Sequence, residues 1–298
     1  MEKRILGKTG MNVSVLGFGA AEIGYEGADQ PDIDRLLASA LEHGLNAIDT
    51  AECYVDSEEK LGRSISNRRK DYFLFTKCGH KGSFFTGAWS AEEIAASLET
   101  SLKNLKTDYV DLLQLHSCDK NVLAKGEAVQ ALQKAKKDGK TRFIGYSGDG
   151  EDALAAIEMD VFDTLQTSVS ILDQQCIDLL LPKARAQNLG VIAKRPIGNA
   201  VWRFKSKPDN EYVQEYWHRL QKLAYDFVSG DQAAISEKAL RFTLAQEAVA
   251  TMIVGTTKPE RWPENAALIA KGSLPEAEVK AIRERWAAVA SASWVGQV

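Results

Sequence analysis

The sequence predicts an α/β fold, a (β/α)8 TIM barrel with a short N-terminal β-hairpin and a C-terminal extension. Three observations predict it. Eight short apolar runs with strand character alternate with helical patterns along the chain, and such alternation implies a parallel sheet. The 298 residues exceed by a modest margin the roughly 250 typical of such a barrel. The surplus falls in the N-terminal hairpin, the stretch 198–232 and the tail. The competing architecture is an open doubly wound sheet, but "GFGAAEIG" after the first strand lacks the full dinucleotide fingerprint. No low-complexity segment, internal repeat or linker-like boundary interrupts the chain, so residues 1–298 read as a single barrel domain.

The elements follow in order. "RIL" and "MNV" form the hairpin, turning at Lys8, Thr9 and Gly10. "VSVLGF" (13–18) is the first strand. A helix over 32–43 follows, because Ile33, Leu36, Leu37, Ala40 and Leu41 share one face. "LNAI" (45–48) is strand two, and a short helix holds Glu58 to Leu61. "YFLFT" (72–76) is strand three. Ser90 with Glu93 three residues on forms a capping box that opens the next helix. Ile94, Leu98, Leu102 and Leu105 give that helix its apolar stripe. "YVDLLQL" (109–115) is strand four, and a helix over 127–138 stops at Gly139, a C-terminal cap. "TRFIGY" (141–146), "FDTLQ" (162–166), "GVIAK" (190–194) and "TMIV" (251–254) complete the eight.

Composition excludes several classes. Net charge is −4 and the basic residues are scattered, which argues against nucleic-acid binding. The start "MEKRILGKTGMNVS" has no apolar core of a signal peptide, and no apolar run approaches a membrane span. The four cysteines, Cys53, Cys78, Cys118 and Cys176, lack the paired spacing of a zinc module and read as reduced thiols of a cytoplasmic protein. No metal site is expected.

In a barrel of this kind chemistry gathers at the C-terminal ends of the strands. Asp49 follows strand two, with Tyr54 in the loop beyond. Lys77 ends strand three and His116 ends strand four. Singly, each reads as a cap, a packing residue or a solvated charge. Together, at three adjacent strand ends, they form a catalytic constellation. A barrel hydrolase using Asp49 with a second carboxylate would leave Tyr54 and Lys77 unexplained.

The motifs "LGKTGMNVSVLGFG", "GLNAIDTAECYVDSEEKLG", "FTKCG", "DLLQLHS", "FIGYSG" and "IVGTTKPERWPEN" resemble the aldo-keto reductases over nearly the whole chain. The resemblance implies that Asp49, Tyr54, Lys77 and His116 are the family's tetrad. It implies reduction of an aldehyde or ketone, or oxidation of an alcohol, with a nicotinamide cofactor. A phenol holds its proton at neutral pH and can act as the acid. Lys77 would lower the Tyr54 pKa, Asp49 would anchor Lys77, and His116 would donate to the carbonyl oxygen. An alternative from the same resemblance is a cofactor-binding regulatory subunit of a membrane channel with little turnover.

Cofactor contacts carry over position by position. Gly19 lies in the loop after strand one. Ser147 and Gln166 match the carboxamide contacts, while Gly148 stands where relatives carry Asn, with Asp149 next. Lys194 stands where many carry an aromatic ring under the nicotinamide, and Arg195, Pro196 and Gly198 continue that rim. Gly255, Thr256, Thr257 and Lys258 form the loop after strand eight, where Pro259 suits the first turn of a helix. A helix N-terminus favours an anion. The resemblance places the NADP 2′-phosphate at Arg261 and the adenine near Glu264 and Asn265. NADP(H) is the expected cofactor and NAD(H) the alternative. Pocket walls would come from Tyr25, Phe84, Phe85, Trp89, Trp202, Phe204 and Trp294, some of them simply packing. Cys53, Cys78 and Cys118 would flank the tetrad, and Lys77 would make at least one of them reactive. Oligomeric state is not legible.

Overall fold

A computed structural model describes residues 1–80 and 86–297; Phe84 and Phe85 lie outside the described residues. Eight parallel strands form a closed barrel: β1 (Leu16–Gly19), β2 (Ala47–Asp49), β3 (Phe73–Cys78), β4 (Val110–His116), β5 (Thr141–Ser147), β6 (Thr164–Ser168), β7 (Gly190–Lys194) and β8 (Val249–Val254). Each pairs with its successor and β8 closes on β1. Helices fill the connections. That at Ala91–Leu105 opens with the Ser90 and Glu93 capping box, as the sequence predicts.

The run 13–18 is not one strand. Asn12–Ser14 pairs antiparallel with Lys3–Ile5 in a separate hairpin, and the barrel strand begins only at Leu16. The cause is local. The Ser14 amide donates to Asn46 Oδ1 at 2.6 Å and Ser14 Oγ accepts from the Asn46 amide at 3.1 Å. Both bonds tie this residue to the loop before β2 and bend the chain at Val15.

The hairpin lies at the N-terminal ends of the strands. Gly7 backs onto Gly190, the first residue of β7, so closely that a Cβ would strike the Gly190 nitrogen. Leu6, Met11 and Val13 enter one buried cluster with Ala47, Phe75, Leu112, Ile192 and Ala250. These fill the barrel interior at the end away from the site. A larger apolar layer packs the outward strand residues, such as Ile48, Leu74, Leu113, Leu165 and Val191, against the helices.

Alternation along each strand then decides what faces inward. Phe75 faces in, so Lys77 does too; Leu112 faces in, so Gln114 and His116 do; Ile192 faces in, so Lys194 does. The interior passes from apolar at one end to ionisable at the other. Past β6 the chain adds a second apolar cluster, in which Tyr216 and Leu220 of the helix Glu211–Leu223 pack with Trp286 of the helix Glu276–Val289. Trp294 of the tail meets Trp286 there edge to face, at 5.3 Å between centroids.

Candidate active site

β2, β3 and β4 bring the four predicted residues to one mouth. Lys77 Nζ donates to Asp49 Oδ2 at 2.5 Å, to the Thr50 carbonyl at 2.9 Å and to the Tyr54 hydroxyl at 3.3 Å. Lys77 and Asp49 are both buried. A buried ion pair needs its remaining lone pairs satisfied, and Asp49 Oδ1 accepts from Gln166 Nε2 at 2.8 Å and Gln114 Nε2 at 3.2 Å. The His116 ring stands edge to face with Tyr54, 5.7 Å between centroids.

Electrostatics separates the two candidate proton donors. Burial, with the charges of Lys77, His80, Lys194 and Arg195, holds the His116 pKa well below its usual value. The imidazole is therefore neutral, and one ring nitrogen can donate without carrying charge. Tyr54 departs from expectation. Burial, reinforced by the Asp49 carboxylate, pushes its pKa well above the ordinary phenol value. Lys77 does approach the phenol, but its charge is matched by Asp49 at closer range, so it does not drag the Tyr54 pKa down.

The thiols also depart from expectation. Strand alternation turns Cys78 away from the mouth, into the layer between barrel and helices, and Cys118 joins it there. Burial pushes Cys53 and Cys118 up to about 12 and Cys78 well above its usual value. Lys77 does pull Cys53 downward, but burial outweighs it. Cys53 instead lies 3.5 Å from His116 Nδ1. This contact orients the ring; the thiol donates to Nδ1 in one neutral tautomer and accepts from it in the other.

The residues expected to hold the cofactor make the following contacts. Ser147 Oγ donates to Gln166 Oε1 at 3.2 Å, so the two predicted carboxamide partners are already joined. Gly19 approaches Gly255: a Cβ on Gly19 would lie 3.6 Å from the Gly255 nitrogen. Glu22 crowds Gly255 so closely that a side chain there would collide with its carboxyl group, which burial raises to about 7. Thr256 Oγ1 accepts from the Lys258 amide at 3.1 Å, and Thr257 Oγ1 donates to Glu26 at 3.2 Å. The following helix spans Arg261–Ile269, so Pro259 precedes it rather than lying in its first turn. Arg261 pairs with Glu264 at 3.0 Å on the surface, with Asn265 next along the same helix. Pro196 and Gly198 follow Arg195 on the rim, and Gly198 adopts a positive φ of 48°.

Sequence reasoning missed several contacts. Gln114 was readable, because a polar residue two positions before His116 shares its inward face. The Asp149–Lys194 ion pair at 3.0 Å and the bond from Arg195 Nε to Tyr212 at 2.7 Å join segments too distant for any local signal. Among the proposed pocket walls, Tyr25 is exposed at the mouth, 5.7 Å from the Tyr54 ring. Trp89 packs against His80. Trp202, Phe204 and Trp294 belong to the second apolar cluster.

A closed parallel barrel with an Asp–Lys pair, a phenol and a neutral imidazole at its C-terminal mouth has the makings of a carbonyl/alcohol oxidoreductase. A sequence model of the Aldo/keto reductase family matches residues 15–287. The chain is 30% identical over 284 residues to L-galactose dehydrogenase of Arabidopsis thaliana, covering 90% of this chain and 88% of that one. It is 28% identical over 328 residues to the NADH-specific methylglyoxal reductase of Escherichia coli (strain K12), covering 95% and 98%. The holo form of aldo-keto reductase AKR11C1 from Bacillus halodurans superposes with a TM-score of 0.83 at 26% identity, covering 99% of both chains. The chain belongs to the aldo/keto reductase family, and it is an NAD(P)H-dependent enzyme of the carbonyl/alcohol couple.

Proposed function

We propose that this enzyme reduces small aldehydes or ketones to alcohols, with Tyr54 as the proton donor and NADP(H) as the cofactor. The observation that carries the reading is the buried Lys77 ammonium, shared between Asp49 and the Tyr54 hydroxyl. A bound nicotinamide supplies the hydride to the carbonyl carbon. Tyr54 gives its proton to the oxygen as negative charge develops there. The phenolate left behind stands 3.3 Å from Lys77 Nζ, which stabilises it at the moment it forms. The raised Tyr54 pKa keeps the acid loaded until that charge appears. Neutral His116 donates to the same oxygen and orients it. In the direction of alcohol oxidation the phenolate is the base.

The residues fit a nicotinamide dinucleotide in their donor set. Ser147 and Gln166 offer donors and acceptors suited to a carboxamide. Arg195, Lys258 and Arg261 offer cations for phosphates. Arg261 with Lys258 supports NADP(H). NAD(H) is the second reading, favoured by the Arg261–Glu264 pair and by Glu22 and Glu26 on the same side.

The test is oxidation of NADPH and of NADH with a reactive aromatic aldehyde, for the native enzyme and Tyr54→Phe. A single acid–base group typically contributes about 10²–10⁴-fold, so kcat should fall by at least about a hundredfold while dinucleotide affinity persists. Equal rates would remove Tyr54 from the acid role. Tight binding with no turnover by the native chain would turn the reading to a regulatory subunit.

A further inference from the structure

Lys194, one departure from the cofactor pattern that the resemblance implies, is ion-paired with Asp149, the residue after the other departure, Gly148. Lys194 ends β7 facing into the barrel, and its Nζ lies 3.0 Å from Asp149 Oδ2. Asp149 is fixed in turn. It accepts from Thr167 Oγ1 and the Ser168 amide, both at 2.7 Å, and from Ser168 Oγ at 3.1 Å. Arg195 lies 4.0 Å from the same carboxylate. It donates to Ser168 Oγ at 2.9 Å and to Tyr212, from a backbone with φ 56° that non-glycine residues seldom adopt. Residues held in such conformations concentrate at functional sites.

The charges around this mouth do not cancel. Asp49 matches Lys77, and Asp149 faces both Lys194 and Arg195. His116 is neutral. Glu22, across the mouth on the β1 side, is held near half ionisation at neutral pH by burial. An ammonium therefore stands at the rim beside the tetrad with less than full compensation. Burial lowers the Lys194 pKa to about 8 against the opposing pull of Asp149, with Arg195 and, more weakly, Lys77 adding to the fall.

Hydride transfer needs donor and acceptor carbons about 3–3.5 Å apart, while the substrate oxygen faces Tyr54 and His116. The nicotinamide must then lie over this same mouth. Its oxidised ring carries a positive charge and its reduced ring carries none; the rest of the dinucleotide is unchanged. An ammonium cannot stack on the ring as an aromatic side chain would, but it repels one redox state and not the other. Resting on the reading above, we propose that Lys194, anchored by Asp149, is a binding residue that discriminates against the oxidised nicotinamide and favours the reduced one. The direction suits carbonyl reduction, because the spent cofactor leaves more readily. By linkage it also raises the potential of the bound couple, about 30 mV for each tenfold difference in affinity.

The test is equilibrium binding at pH 7 of NADPH, NADP⁺, NADH and NAD⁺ to the native enzyme, Lys194→Met and Lys194→Arg. The native enzyme should bind reduced forms more tightly. Lys194→Met should lower the oxidised-to-reduced Kd ratio by about tenfold, the size expected for one charge a few ångströms from the ring in a partly screened site. Lys194→Arg should keep the native ratio. If Lys194→Met does not fold, Lys194→Gln, which can still hydrogen-bond Asp149, makes the same comparison. An unchanged ratio in the neutral variant, or a native preference for oxidised forms, overturns the proposal. Absence of any dinucleotide binding by the native chain overturns the nicotinamide reading itself, a result distinguishable because no ratio is then measurable.

Discussion

At the residue scale, neighbouring side chains take opposite fates according to which way the strand turns them. Lys77 and Cys78 are adjacent, yet one faces the barrel mouth and the other the helices. Alternation predicts this once the barrel is known, but sequence proximity alone suggested that both would sit in the site. Burial then dominates the chemistry. All three thiols near the tetrad stay protonated, and Cys53 is better described as a contact that orients His116 than as a nucleophile. Native enzyme treated with iodoacetamide at pH 8 should therefore keep its activity, with Cys53, Cys78 and Cys118 unlabelled by mass spectrometry. In urea all should label. Rapid labelling of Cys53 in the folded enzyme would show that burial does not control that thiol. That Asp49, Tyr54, Lys77 and His116 meet at one mouth was legible because all four fall together at three adjacent strand ends. The Asp149–Lys194 pair was not, because no local pattern says which inward charges meet across β5 and β7.

At the scale of elements, strand ends and helix caps were readable, since apolar runs and capping residues are written locally. The merging of 13–18 into one strand was an error of the same local view. Nothing in that run announces that Asn46, more than thirty residues away, satisfies Ser14 and bends the chain. Asn46 also donates from Nδ2 to the Asn12 carbonyl at 2.9 Å. It is thus a polar clasp between hairpin and barrel, in addition to Arg4, which donates to the Val249 carbonyl at 2.9 Å. Asn46→Ala leaves the buried Ser14 amide without its acceptor, at a cost of about 1–3 kcal/mol. Urea unfolding should show that loss in midpoint, with kcat little changed because the hairpin lies at the end away from the site. A variant as stable as the native enzyme would mean that the clasp is replaced by water at no cost.

At the scale of the whole molecule, the barrel separates functions by depth and by layer. Apolar residues close one end, ionisable residues crowd the other, and the layer outside the wall should be inert. Glu58 breaks that last rule. It lies on the helix Ser57–Ile65, buried between that helix and β3, where Thr76 donates to its carboxyl group at 2.6 Å. Burial raises its pKa to about 7, with the Glu52 charge adding to the rise and the bond from Thr76 opposing it. The unfolded chain would titrate this group near about 4.3. Between those values the folded state holds a proton that the unfolded state has lost. That contribution to stability is fully present below about pH 4 and disappears as pH rises through 7. Each pH unit crossed while only the folded state keeps the proton removes about 1.4 kcal/mol, so the loss between about pH 5 and pH 8 is at most about 3 kcal/mol. Glu58→Gln keeps the acceptor for Thr76 and cannot ionise. Urea unfolding at about pH 5.5 and about pH 8 should therefore show the native enzyme losing stability on the alkaline side, with a flatter profile in Glu58→Gln. Parallel profiles in the two proteins would assign the pH dependence elsewhere, with Glu22, whose pKa burial also raises to about 7, the next group to replace.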